Sequence, residues 1–140
     1  MTRQEIVALL EEHQQALQRR DLSALLSLHS ETCIVESPMA GRTTGYDGLR
    51  RVYEMWFSAF PDAEFTPEAP VIDGERVARV SMIAGTDIGG FMGMEATGKH
   101  FTMPIVQLFT CADGLIVHER RIYDFTGLLV QIGVIKAKPA

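Results

Sequence analysis

Cysteine, basic clusters and long apolar runs are scarce in this sequence. The two cysteines, Cys33 and Cys111, lie far apart, and the four histidines are scattered without His-x-His spacing. This predicts no disulfide and no metal site, because isolated cysteines in a reducing compartment are typical of small buried side chains. Acidic residues outnumber basic ones by 18 to 13, and no basic segment is interleaved with aromatic residues. We therefore expect no nucleic acid as a partner.

Targeting and cofactor motifs are missing as well. Residues 1–12 are acidic where a signal peptide needs a basic start, and no apolar run approaches membrane-spanning length. The sequence thus predicts a cytoplasmic protein that makes no membrane contact. Gly89, Gly90 and Gly93 do not lead from a strand into a helix as a phosphate-binding loop does, and no Gly-x-Ser-x-Gly segment occurs. Any chemistry is expected to need no cofactor.

Length and composition predict one globular domain over residues 1–140. Hydrophobic residues make up 46% of the chain and charged residues 22%, which is typical of an ordered soluble domain. A chain of 140 residues can bury a sizeable core but leaves no room for a second domain.

The first half of the sequence has helical patterns. Thr2 and Glu5 form a capping-box signature before a helical run of apolar residues that ends near Leu17. Asp21 is placed to cap a short second helix, and the apolar spacing over residues 46–60 predicts a third helix that ends before a proline.

The second half of the sequence has strand patterns. A short strand is predicted at 32–37, and longer ones at 63–71, 76–87, 99–111 and 115–125, separated by Asp-Gly and Gly-Gly turns. Helices followed by strands, without βαβ alternation, predict an α+β fold in which three N-terminal helices pack on a curved, mostly antiparallel sheet. Such a sheet closes into a cone that admits a small hydrophobic ligand. The predicted lining combines apolar and polar side chains: His13, Trp56, Phe60, Met82, Met103, Gln107, Phe109 and Tyr123.

The last predicted strand carries most of the candidate catalytic residues. His118 and Asp124 have one parity along it, and Glu119 and Arg121 have the other, so only one set faces the cone. A bulge would exchange the two sets, and parity alone does not decide between them. A pocket arginine would hold an anionic oxygen beside a carboxylate that moves a proton, whereas a solvated face would carry ion pairs.

Four carboxylate and histidine side chains have two interpretations each. Asp124, among apolar neighbours, is either a proton shuttle with a raised pKa or a helix cap. Glu36 is the candidate second base and Asp87 is a further candidate carboxylate, each with an exposed loop position as the alternative. His13 on the inner stripe of the first helix is a hydrogen-bond donor to substrate or a satisfied core residue. His29 and His100 are predicted on the surface.

Four segments, residues 20–22, 59–62, 85–99 and 124–133, together resemble the SnoaL-like polyketide cyclases of the nuclear transport factor 2-like superfamily. The most specific is the last, with Asp124 followed by Gly-Leu-Leu-x-Gln-Ile-Gly. The resemblance implies the cone-shaped α+β barrel, a homodimer formed by back-to-back sheets, and Asp124 as the acid/base of an intramolecular aldol closure without metal or organic cofactor.

The resemblance leaves three functions open, because Asp87 and Ser37 stand where histidines are frequent in the family. The first is the acid/base enzyme acting on a hydrophobic carbonyl compound. The second is a limonene-type epoxide hydrolase, for which Arg120 or Arg121 beside Asp124 is a partial match. The third is a non-catalytic ligand-binding or dimerisation module. A buried carboxylate with a raised pKa in a closed pocket favours an enzyme, and a filled or water-open cone favours the module.

Overall fold

The computed structural model describes residues 1–136, which form the expected α+β fold. Within them lie four helices and a seven-stranded sheet. The helices are α1 (Arg3–Arg19), α2 (Leu22–Ser27), α3 (Gly45–Ala59) and α4 (Phe125–Gln131). The strands are β1 (His29–Ser37), β2 (Gly41–Thr44), β3 (Glu64–Pro67), β4 (Val71–Asp73), β5 (Arg76–Thr86), β6 (His100–Ala112) and β7 (Leu115–Tyr123).

The helix termini follow the predicted capping chemistry. The Thr2 hydroxyl accepts from the Glu5 backbone amide and the Glu5 carboxylate accepts from the Thr2 amide, which completes the capping box of α1. The helix ends at Arg20, whose φ of 54° is left-handed, and Asp21 then caps α2 through the Ala24 amide. The sharp turn lays α2 against α1 and carries the chain into β1.

The sheet is antiparallel except where its first and last long strands meet. The order is β2-β1-β7-β6-β5-β3, with β4 also paired to β5, and the β1–β7 pair is parallel. The β6–β7 hairpin turns at Asp113 and Gly114, both with positive φ, as a tight primed turn requires. The curved sheet holds α1 and α3 on its concave face, so the buried side chains of β5, β6 and β7 point into the cone.

Two apolar layers fill the cone above and below a polar zone. Aromatic residues of α3 and the adjoining chain pack with the outer ends of β6 and β7, and the rings of Phe60 and Phe101 lie 4.7 Å apart. At the opposite end, apolar residues of α1 pack on Val77 and Phe109. The polar zone between them is therefore shielded from water on both sides.

Several predicted strands have different limits in the structure. β1 begins at His29, and β2 occupies a segment that was expected to be a loop. The predicted strand 63–71 is two short strands, because Pro67 and Pro70 lack the amide that a ladder needs.

Two further elements differ from the prediction. The segment around Gly89 and Gly90 is not a hairpin turn but lies within the loop 87–99, where the Gly89 amide donates to Ala59 O. A fourth helix, α4, follows the sheet and begins at Phe125, which was predicted to be the last residue of the final strand. Among residues 1–136, no helix combines the length and apolarity needed to cross a membrane.

Candidate ligand site in the cone

The concave face of the sheet carries a row of charged and polar side chains. Arg79 of β5, Gln107 of β6 and Arg121 of β7 are cross-strand neighbours in one row, and all three are buried. Glu119 lies in the next inward position of β7. The pairing of β6 with β7 shifts by one residue between Thr110 and Cys111, which places a β-bulge in β7 before Glu119. After this bulge Glu119, Arg121 and Tyr123 face inward, while Arg120 faces outward. The structure thus settles which parity of the last strand faces the cone.

Glu119 is the centre of this buried cluster. Its carboxylate accepts hydrogen bonds from Arg121 Nε at 2.9 Å and Gln107 Nε2 at 3.0 Å, and from the Tyr53 hydroxyl at 3.2 Å. Arg121 and Gln107 donate to Oε1, while Tyr53 donates to Oε2, which also lies 3.0 Å from His29 Nε2. Burial alone would raise the pKa of the Glu119 carboxyl, but Arg121 and His29 outweigh it and hold that pKa well below its ordinary value of 4.5. The Glu119 carboxylate therefore stays ionised.

A series of hydrogen bonds runs from Arg79 to Glu119, and in it each group donates to the next. The Arg79 guanidinium can only donate, so His13 Nδ1, at 2.9 Å from Arg79 Nη2, accepts. Burial and the Arg79 charge lower the pKa of His13 well below 6.5, so the ring is neutral and carries its proton on Nε2. That nitrogen donates to the Tyr53 hydroxyl at 2.9 Å, and Tyr53 donates to Glu119. Burial and Glu119 raise the pKa of Tyr53, which keeps the hydroxyl protonated.

The histidine and carboxylate atoms of His13, His29 and Glu119 lie within 4.8 Å of one another, close enough to hold a metal ion. The expectation that His29 is on the surface is therefore wrong, because β1 begins at His29 and turns its side chain inward. The charges nevertheless oppose a cation here. Arg79 and Arg121 both contact the cluster, and both histidines already use their two ring nitrogens in hydrogen bonds.

A narrow cavity adjoins the cluster. Tyr53, Trp56, Gln107 and Arg121 contribute to its wall, together with apolar side chains of α1, α3 and the sheet: Leu17, Phe57, Phe65, Ile83 and Ile105. Its volume is about 10 Å³, roughly the space of one water molecule. Arg121 Nη2 and Trp56 Nε1 are buried without a hydrogen-bond partner among the described residues. The cavity wall thus offers unused donors although the cone is nearly filled.

A loop closes the wide end of the cone. Asp87, expected in an exposed loop, is fully buried and accepts from the Gly90 amide and from the amide and hydroxyl of Thr97, which ties the two ends of loop 87–99 together. Phe91 inserts from this loop between aromatic rings, 5.1 Å from Phe60 and 5.9 Å from Trp56. Phe91 therefore separates the cavity region from solvent.

Most of the predicted lining residues lie inside the cone. His13 and Gln107 belong to the polar cluster, as does the candidate catalytic residue Arg121, and Trp56 lines the cavity. The others pack in the apolar layers around it, where the Arg79 guanidinium lies over the Phe109 ring: Phe60, Met103, Phe109 and Tyr123.

The remaining predicted site residues lie outside the cone. Met82 is 49% exposed on the convex face, because its even position on β5 points away from the inward row of Arg79, so its predicted place in the lining is wrong. His118 and Glu36 also lie on the convex face, where His118 Nε2 and Glu36 Oε2 are 2.6 Å apart. The structure does not bring them together with Arg121's buried cluster.

Asp124 is exposed at the junction of β7 and α4. Its Oδ1 accepts from the Gly127 amide at 2.8 Å and caps α4, and a side chain at Gly127 would collide with the carboxylate. The desolvated environment expected for Asp124 is therefore absent, and the capping interpretation describes its contacts. Its acid/base role stays a prediction.

Three members of the cluster were not predicted as site residues, namely His29, Tyr53 and Arg79, and Glu119 was predicted only as part of one of two alternative sets on the last strand. Arg79 alternates with Val77 and Ser81 on the inward face of β5, and Tyr53 lies on the apolar stripe of α3. Those periodicities contained the signal for Arg79 and Tyr53, because a charged or hydroxyl side chain on an inward face needs buried partners.

Comparison with known proteins agrees with this architecture. AclR from Streptomyces galilaeus, provisionally described as a hydroxylase, is 26% identical with a TM-score of 0.84, covering 99% of this chain and 87% of its own. IdmH from Streptomyces antibioticus, provisionally described as a polyketide cyclase, is 27% identical with a TM-score of 0.77, covering 91% and 97%. A Xanthomonas campestris protein with the same provisional description shares the fold, with a TM-score of 0.85 at 19% identity and coverage of 93% and 98%.

Among proteins with curated functional descriptions, none matches the sequence. The sequence profile of the SnoaL-like polyketide cyclases does match, over residues 7–132. That span takes in the helices, the whole sheet and the segment after Asp124. This chain therefore belongs to the SnoaL-like polyketide cyclase family.

Proposed function

We propose that this protein is a cofactor-independent acid/base enzyme that acts on a hydrophobic, carbonyl-bearing small molecule by cyclase-like proton transfer. The observation that carries the proposal is the buried polar cluster around Glu119 and Arg121 inside an otherwise apolar cone. Buried ion pairs seldom stabilise a fold better than apolar residues would, so a cluster of this kind beside a cavity is typical of a functional site. Membership of the cyclase family supports the same reaction class.

The cluster is suited to hold a substrate oxygen and not to remove a proton. Glu119 is a poor base, because its pKa is lowered and its oxygens already accept several hydrogen bonds. Arg121 Nη2 is an unused donor in the cavity wall. We assign Arg121 to the carbonyl oxygen, where its charge would stabilise an enolate as it forms.

Asp124 is proposed as the residue that moves the proton. The support is its place in the segment that resembles the family, directly after the strand that carries Arg121. In the proposed step Asp124 takes a proton from the carbon next to the carbonyl, the enolate carbon bonds to a second carbonyl carbon, and the resulting alkoxide takes the proton back. The product is an isomer of the substrate, so no oxidant or co-reactant is needed.

A second candidate function is a non-catalytic ligand-binding module. The nearly filled cavity and the lowered pKa of the Glu119 carboxyl favour it. The epoxide hydrolase alternative has less support, because Glu119 is the one carboxylate that contacts Arg121 in the described part of the chain.

Proton exchange tests the enzyme against the module. The protein is incubated in D₂O with a panel of hydrophobic ketones and β-keto esters, and deuterium at the α-carbon is followed by NMR. We expect exchange or cyclisation with the wild-type protein, and at least about tenfold slower reaction with Asp124→Asn, because the amide cannot accept the proton. Arg120→Met on the convex face is the matched control. Binding without exchange across the panel would favour the module.

We also propose a homodimer formed through the convex face of the sheet. Met82 and Ile122 are 49% and 44% exposed there, and the nearby Glu36 and Arg120 carry opposite charges. A two-fold axis brings such a patch onto itself and can pair each sign with the other. In analytical ultracentrifugation the wild-type protein should sediment as a dimer and Ile122→Glu as a folded monomer. A monomeric wild-type protein at micromolar concentration would reject this assembly.

A further inference from the structure

The Arg121 guanidinium has more hydrogen-bonding capacity than its surroundings use. Its side chain is 5% exposed, and Nε donates to Glu119. Nη2 is buried with no partner among residues 1–136, and the same side chain lines the cavity beside Trp56 and Gln107. A planar guanidinium is built to donate two parallel hydrogen bonds to a carboxylate-like group, and Glu119 takes only the Nε side.

The buried charges around the cavity do not balance. Arg79 and Arg121 are both cationic near neutral pH, since burial lowers the pKa of Arg79 only to about 10 and Glu119 raises that of Arg121. Among residues 1–136, Arg121 pairs with the Glu119 carboxylate, and no carboxylate pairs with Arg79. Arg79 donates instead to neutral acceptors, Gln107 Oε1 and the carbonyl of Leu10. The other buried carboxylate of the described chain, Asp87, makes its hydrogen bonds within loop 87–99. One positive charge therefore lacks a buried counterion.

We propose that the ligand binds as an anion: an apolar compound whose carboxylate or ionised enol oxygen accepts a hydrogen bond from Arg121 Nη2. This inference rests on the proposed function in taking the cone as the substrate site, and it specifies the substrate class. The negative charge compensates the excess positive charge of the cluster. The apolar body of the ligand packs against Trp56 and the aliphatic wall of the cavity.

Space for that body comes from Phe91. Its ring contacts Trp56, which also lines the cavity, so withdrawal of Phe91 joins the two regions. The loop that carries it has positive φ angles at Gly90 and Gly93, a conformation that glycine adopts without strain. Rotation of the Phe91 ring out of the aromatic cluster, with Asp87 still holding the two ends of the loop, would open this space.

The test compares matched anionic and neutral probes by isothermal titration calorimetry. The first pair is the anion 4-tert-butylbenzoate and its neutral carboxamide. The second pair is dimedone, a cyclic 1,3-diketone that is ionised at the pH of the experiment, slightly above neutral, and the neutral ketone 3,3-dimethylcyclohexanone. We expect at least one anion to bind about tenfold or more tightly than its neutral counterpart. The pair that shows the preference identifies the oxygen as carboxylate or enolate. Equal affinity within both pairs, or no binding of any probe, would overturn the inference.

Substitutions test whether Arg121 causes the preference for the anionic probes. Arg121→Met should abolish it and Arg121→Lys should reduce it, because lysine keeps the charge without the second donor of the fork. Arg120→Met, the neighbour on the convex face, should leave it unchanged. A preference that survives in Arg121→Met contradicts the assignment. If Arg121→Met does not fold, the NMR resonance of Arg121 Nε–H in the wild-type protein gives the readout, and it must shift when 4-tert-butylbenzoate is added.

Deuterium exchange on the panel of hydrophobic ketones, measured in parallel, separates this inference from the proposed function. Anion preference without exchange keeps the anionic site and rejects the enzyme. Exchange on neutral ketones without anion preference keeps the enzyme and rejects the anionic site.

Discussion

Each face of the sheet departs at one place from the usual distribution of side chains. The concave face buries Arg79, Glu119 and Arg121, whereas the convex face exposes Met82 and Ile122. Neighbours one residue apart on the same strand thus have opposite environments. This difference is the basis for the proposed ligand site on the concave face and the proposed dimer contact on the convex face, since neither feature serves the stability of an isolated monomer.

Removing the central carboxylate should have the largest effect. Glu119→Ala leaves the Arg121 and Arg79 charges buried without their partner, which should lower the free energy of unfolding by about 3–5 kcal/mol. Urea denaturation followed by circular dichroism measures this. Glu36→Ala removes a carboxylate from the convex face and should change stability little. Equal losses in the two variants would remove the distinction between the faces.

Trimming neighbouring apolar side chains of β5 tests the same contrast without charge. Ile83 is 1% exposed and Met82 is 49% exposed. Ile83→Ala should cost about 2–5 kcal/mol because it leaves a cavity, while Met82→Ala should cost less than about 1 kcal/mol in the monomer. The comparison is made in the Ile122→Glu background so that assembly does not contribute. A large loss at Met82 would mean that the convex face is part of the monomer's core.

Lowering the pH should decrease the free energy of unfolding, and the first group to contribute should be His13. The folded protein keeps His13 neutral, with its pKa below 6.5, whereas the unfolded chain binds a proton there. Stability should therefore fall as pH drops below about 6.5, by up to about 1.4 kcal/mol per pH unit for this one proton. Glu119 adds a further loss below about 4.5, because its pKa is also lower in the folded state.

The measurement is the free energy of unfolding at several pH values, compared with His13→Gln. That variant should show a shallower decline between about pH 6.5 and 5. An identical pH dependence in the two proteins would show that His13 does not titrate on unfolding.

Two substitutions of Asp124 should distinguish its role as a helix cap from its proposed acid/base role, with the smallest expected change in stability. Asp124→Ala removes the cap of α4 and should cost about 1 kcal/mol, whereas Asp124→Asn keeps an acceptor for the Gly127 amide. Thermal unfolding should therefore be nearly unchanged in the asparagine variant. Proton exchange on substrate should be lost in both variants if Asp124 is the base, and retained in Asp124→Asn if it is only a cap.

The fold could be predicted from the sequence because its signals are local and repetitive. The capping box at Thr2, the stripe of residues 46–60 and the Asp-Gly turns each act over a few residues, and each is found in the structure. The segment 87–99 could not be predicted in this way. Its conformation depends on distant contacts, because Phe91 packs on the Trp56 and Phe60 rings and the Gly89 amide donates to Ala59 O.

The site was only partly predictable for a related reason. His13, Gln107 and Arg121 lie in the cluster as inward positions of regular elements, whereas His29 lies at a strand start that no local signal marks. Asp124 and His118 share the outward parity that the bulge before Glu119 fixes. A bulge is a tertiary feature, so residues after it could not be assigned to a face from spacing alone.

The parallel β1–β7 pair has a consequence for the order of synthesis. β1 leaves the ribosome early, yet its neighbour in the sheet is the last strand, and the Glu119 partners His29 and Tyr53 also wait for it. Contacts between such distant segments form slowly. Until β7 emerges, the apolar faces of α1 and α3 lack their cover, so the nascent chain must pass through a long interval in which aggregation competes with folding.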